Sequence, residues 1–216
     1  MKYSRLMLPM IALALSSCVY SLFPFYSEET IVYHPEINGK WLSEDSSVMI
    51  LEPFYGQDDI SNDLNISSLK DTPDVNQKAP DSASPKGYKM TFKDDDATLV
   101  YLVYLFRVKE STYMDLYPWL EKGVHQIQGE VILIDNLFPV HSVMQIRLEA
   151  NSLTLKQFNL DKLNKLFKSN RIRLRHEIVN DEVLITAKTP ETQKFLENYS
   201  KDPSVYGHEE VYIRML

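Results

Sequence analysis

Ten consecutive residues, Ala97 to Phe106, carry no charge, and they are rich in Val, Leu, Tyr and Phe. A run this short cannot cross a bilayer as a helix, and its β-branched and aromatic content favours a strand covered on both faces. The residues before it set the pattern. Tyr88, Met90 and Phe92 alternate with Lys89, Thr91 and Lys93, which is a half-buried strand of period two, and Asp94-Asp95-Asp96 reads as the turn between them. Ser111 to Tyr117 predicts the next strand, closed by Pro118, and a shorter one is expected at Val131 to Ile134. Val140 to Glu149 alternates cleanly, Ala150-Asn151 turns the chain, and Leu153 to Phe158 returns as its hairpin partner. Asn159 caps a predicted helix with Leu160, Leu163, Leu166 and Phe167 on one face. Leu174 to Val179 and Glu182 to Ala187 predict a hairpin about Asn180-Asp181. Thr189-Pro190 starts a second helix with a stripe of Phe195, Leu196 and Tyr199, and Glu210 to Met215 closes the chain as a strand. Together with strands at Gly39-Lys40-Trp41 and Ser47 to Glu52, this predicts about nine antiparallel strands and two late helices. The fold class is mainly β (α+β): one curled sheet or barrel closed against helices.

The N-terminus has a different character. Met1 to Arg5 carries two cations, Leu6 to Leu15 is uncharged, and Leu15-Ser16-Ser17-Cys18 follows. These four residues resemble the lipobox of bacterial lipoproteins. The resemblance implies that residues 1–17 are a removed signal peptide and that Cys18 becomes a lipidated N-terminus bearing a diacylglyceryl thioether and an amide-linked acyl chain such as palmitate. Cys18 is the only cysteine in the 216 residues, so no intrachain disulfide can form, and lipidation accounts for the unpaired thiol. Val19, in place of Asp, implies the outer membrane of a cell envelope and leaves the side of the membrane open. The expected division is a lipidated tether over 18–36 and one β domain over 37–216. Within that domain, Gly56 to Gly87 is polar enough to read as a flexible surface insertion. Asp81-Ser82-Ala83 resembles an envelope O-glycan acceptor, with Ser82 as the acceptor residue.

Removing residues 1–17 leaves 199 residues and, with Lys2 and Arg5 gone, moves the formal charge from −7 to −9. That acidity opposes nucleic acid as a partner. His34, His125, His141, His176 and His208 show no ligand spacing, and no metal site or cofactor is expected. Ser142, His141 and Asp115 could be written as a hydrolase triad, but adjacent strand residues face opposite ways, and no Gly-x-Ser-x-Gly elbow is present. A non-enzymatic role is expected. Asp115 lies between Tyr113 and Tyr117 on one strand face. If His141 faces the same way, these groups either line a small polar pocket or satisfy one another and nearby backbone.

Three blocks, Pro35 to Trp41, Tyr113 to Pro118 and Phe138 to His141, resemble in that order a family of uncharacterised bacterial lipoproteins with lipocalin-like folds. In lipocalins the tryptophan of Gly-x-Trp plugs one end of the barrel beneath a late basic residue. The resemblance therefore assigns structural roles to Gly39, Trp41 and Arg214. The helix near 160–170 departs from an up-and-down lipocalin and leaves two forms open, a lipocalin-like barrel or a curled sheet with a half-open interior. The function expected from this is binding of a small apolar or amphipathic ligand among Tyr88, Phe92, Tyr101, Tyr104, Tyr113, Asp115 and His141. The alternative is a structural or assembly lipoprotein that contacts other envelope proteins and holds no ligand.

Overall fold

The structure, a computed structural model, describes residues 19–55, 84–95, 97–119, 126–127, 130–131, 139–179 and 182–215. Leu15 to Cys18, Ser82 and nearly all of the 56–87 insertion lie outside the described residues. Gly87 lies inside them and opens a strand.

Eight strands close into an antiparallel barrel: β2 (Gly39–Ser43), β3 (Val48–Phe54), β4 (Gly87–Lys93), β5 (Ala97–Val108), β6 (Ser111–Pro118), β9 (His141–Leu148), β10 (Ser152–Phe158) and β13 (Tyr206–Arg214). The ring runs in that order, and β13 returns to β2 with Arg214 opposite Trp41. Two short strands, β7 (Gln126–Ile127) and β8 (Glu130–Val131), pair off the start of β5. The strand expected at 131–134 meets β8 only at its first residue, and the remainder lies outside the described residues.

Of the two expected forms, curled sheet or lipocalin-like barrel, the chain adopts the closed barrel, and the topology explains how the late helices fit it. Helix α1 (Leu160–Lys168), strands β11 (His176–Val179) and β12 (Glu182–Ile185), and helix α2 (Thr189–Tyr199) all lie between β10 and β13. Those two strands are neighbours in the ring, so the excursion leaves and re-enters at one seam without interrupting it. The caps agree with the sequence. Asn159 Oδ1 accepts from Lys162 N at 2.9 Å, and Pro190 occupies the first turn of α2.

Residues 19–36 differ from the tether expected of them. They form part of the fold. Strand β1 (Val19–Ser21) pairs antiparallel with β9 and parallel with β12. Val32 N donates to Leu105 O at 2.9 Å, and Ile31 bridges Phe106. The length of β5 is the cause. β4 covers β5 only as far as Val103, which leaves the edge of its last residues free for the N-terminal segment.

Two cores result. Inside the barrel, Trp41, Met49, Tyr88, Leu105, Met114 and Tyr212 are buried together. Outside it, Phe106, Tyr113 and Val143 of the wall meet Phe25, Phe167 and Phe195 from the N-terminal segment and the helices. The wall β5–β6–β9 is thus buried on both faces, as the uncharged run requires.

Candidate functional site

One end of the barrel is stoppered. The 3₁₀ turn Pro35–Ile37 crosses it, and Ile37 is fully buried. Trp41 is fully buried beside it and donates from Nε1 to Ile37 O at 2.8 Å. The Arg214 guanidinium lies 4.2 Å from the indole centroid, donates from Nη1 to Asn38 O at 3.0 Å, and also donates to Glu36 O. This is a cation–π contact held in place by two carbonyls. Gly39 has φ of +128°, a conformation that favours glycine, and a Cβ there would stand 3.2 Å from Arg214 Nη1, close enough to press on the guanidinium.

The predicted aromatic ligand set divides between the two faces of the wall. Tyr88, Phe92 and Tyr101 belong to the inner core. The Tyr88 hydroxyl accepts from His34 N at 2.7 Å and donates to His34 O at 3.1 Å, and its ring stacks on Tyr33. Tyr113 belongs to the outer core, and Tyr104 packs on a cluster of Phe54, Val100 and Trp119. Asp115 and His141 lie on the outer face as well, so the seven residues do not share one cavity.

Asp115 is fully buried. Its Oδ1 stands 2.7 Å from His141 Nδ1, and its Oδ2 accepts from Phe25 N at 2.8 Å. The Tyr117 ring lies 4.7 Å from His141, and Tyr26 lies 4.5 Å from Tyr104. Burial raises the Asp115 carboxyl above the usual carboxylate range, against the lowering effects of His141 and the Phe25 amide. Burial likewise raises the Tyr26 phenol, reinforced by Tyr104 and Asp115. Helix α2 secures the same segment: Thr189 Oγ1 donates to Pro24 O at 2.7 Å, and Gln193 Nε2 donates to Phe25 O at 3.1 Å. The group is a latch that fastens residues 24–26 to the barrel wall. Ser142, the nucleophile of the paper triad, stands opposite Leu116 and Tyr20 in register, on the other strand face from His141.

A cavity of about 450 Å³ opens beside the stopper, where β5 ends, β6 begins, and β9 turns into β10. Leu105, Ile146 and Leu148 form its apolar floor, and Arg107, Arg147, Lys156, His34, Glu36 and Glu110 stand around it. Several of these charges are already paired. Lys156 meets Glu209 at 2.7 Å, Arg147 meets Glu149 at 3.3 Å, and His34 meets Glu36 at 3.0 Å. The Glu36 carboxyl is held below its ordinary value by its own backbone N–H and by His34. Arg107 has no ion pair among the described residues. The sequence contained a usable sign of this site. Arg107 continues the inward row of Tyr101, Val103 and Leu105 at period two and breaks it with a cation.

Among the described residues, no group of three His, Cys, Asp or Glu side chains could hold a metal ion. No protein-family model, curated protein or solved structure matches the chain.

Proposed function

We propose that this chain is a lipid-anchored barrel of a bacterial envelope that binds a small amphipathic ligand carrying an anionic group. The observation that carries the reading is the cavity in which Leu105, Ile146 and Leu148 adjoin Arg107, a cation with no ion pair among the described residues. Its volume falls within the range of about 300–1,000 Å³ of small-molecule sites, and an apolar floor with one convergent cation is the usual way such sites orient a guest. The inner core packs the barrel centre with side chains, so the ligand enters at this end and does not thread the barrel. The Asp115–His141 pair serves the fold in this reading, and the role is binding without catalysis. The lipobox supports anchoring through Cys18, with Val19 favouring the outer membrane. Cys18→Ser should abolish incorporation of labelled palmitate.

The test is titration of the protein with a fluorescent fatty acid, alongside native mass spectrometry of gently extracted material. A bound adduct and at least tenfold weaker binding by Arg107→Glu are expected. No adduct, or binding indifferent to Arg107→Glu, contradicts the reading.

A second reading, a structural or assembly lipoprotein with an envelope protein partner, is favoured by one surface. Leu42, Val211, Ile213 and Met215 are exposed on the outer side of β2 and β13 and its C-terminal end. Crosslinking in cells from Ile213 that traps one defined protein would favour this reading over ligand binding.

A further inference from the structure

The described fold begins at Val19, one peptide bond after Cys18, with no spacer between them. Val19 is itself core, 3% exposed. Strand β1 runs parallel to β12 with Tyr20 opposite Leu184 and Ser21 opposite Ile185, so the same register sets Val19 opposite Val183. Val183 in turn pairs with Ile178 of β11, and the next pair out is Val179 with Glu182. Val19, Val183 and Ile178 therefore lie side by side on three adjacent strands, spanning two strand spacings, or about 10 Å. The outermost of these strands ends in two apolar residues, Ile178 and Val179, each 50% exposed.

We propose that this strand end is a membrane contact: Ile178 and Val179 insert into the lipid leaflet that holds the acyl chains of Cys18. The proposal rests on lipidation of Cys18, and given that, the occupant follows from position. A leaflet that takes acyl chains from the residue bonded to Val19 lies within a few strand widths of Ile178. Two half-exposed branched side chains are too little to hold the protein unaided. Added to acyl chains they fix its orientation, because lipid supplies the affinity and a second contact point removes rotation about the first. Exposed Glu177 and Glu182 flank the pair, so the contact draws no strength from anionic headgroups and forms on neutral lipid. The consequence is a domain held flush against its membrane in one orientation, with no tether to swing on.

The experiment places the photocrosslinker p-benzoylphenylalanine at Ile178, at Val179, or at the exposed Ile213 of β13, in full-length protein made in cells. The protein is then extracted and reconstituted into phosphatidylethanolamine/phosphatidylcholine vesicles. The mass of the N-terminal peptide reports lipid on Cys18 independently of the crosslink. Lipid adducts at 178 and 179 at least fivefold more abundant than at 213 are expected. Lipidated protein that gives equal or greater yield at 213, or that crosslinks to a protein from 178 and 179 before extraction, overturns the docking proposal and leaves anchoring intact. An N-terminal peptide without lipid overturns both.

Discussion

The two faces of the β5–β6–β9 wall are buried to a similar depth by different means. Inside, Leu105, Met114 and Met144 meet other apolar side chains, and shape complementarity carries the energy. Outside, Tyr113 and Val143 share their face with a carboxylate, an imidazole and two phenols, and hydrogen bonds determine what covers it. The inner layer tolerates any well-fitting apolar arrangement. The outer layer is selective, because among the described residues the backbone N–H that Asp115 receives is that of Phe25. A buried polar group placed among apolar ones thus specifies where a loose N-terminal segment docks.

Either face of the wall can be weakened by a single substitution. The largest effect is expected inside. Trp41→Ala should cost about 3–5 kcal/mol, since it empties the stoppered end and strands Arg214 over a cavity. Urea denaturation measures it, and a near-wild-type midpoint would make the stopper incidental. Outside, Asp115→Ala should cost about 3 kcal/mol by leaving the Phe25 amide and His141 unpaired.

Asp115→Asn sharpens the same point through pH. Burial raises the folded carboxyl, so the folded chain keeps its proton where the unfolded chain has released it. The stability this group contributes is fully present below the unfolded value, about 4, and declines as pH rises through the folded one. Wild-type stability relative to Asp115→Asn should therefore fall with rising pH over that window. The opposite slope would mean that His141 and the Phe25 amide outweigh burial.

Smaller effects follow. Arg214→Ala should cost about 1–2 kcal/mol, through loss of one cation–π contact and two hydrogen bonds to carbonyls at the barrel's rim. Ile213→Ser, on the exposed outer wall, should change stability by less than about 0.5 kcal/mol.

The strands were legible in the sequence because alternation is a local property. Tyr88 to Lys93 and Val140 to Glu149 display it directly, and each has a strand at that place. The uncharged run at 97–106 was legible for the same reason, as was the pairing of Trp41 with a late basic residue through the lipocalin resemblance. What covers the outer face was not. The N-terminal segment 19–36 has no period of its own, because it borrows its order from the edges of β5 and β9 and from the Asp115 carboxylate. The choice between curled sheet and closed barrel was not legible, because a helix after β10 looks like an interruption until the return through β13 is known. The cavity was missed because its cations come from separate hairpins, and no spacing in the chain links Arg107 to Arg147 and Lys156. The aromatic residues that look like a ligand set in the sequence are mostly packing.

The most direct test of this account is amide hydrogen exchange at Val19 to Phe25, read against Met114 in the barrel wall. Protection of the Phe25 amide to the same opening free energy as Met114, with loss of that protection in Asp115→Ala while Met114 stays protected, is the result expected of a segment latched onto the fold. Exchange of residues 19–25 at free-peptide rates in the wild-type protein would make them a tether after all. It would leave the outer face of the wall without its cover.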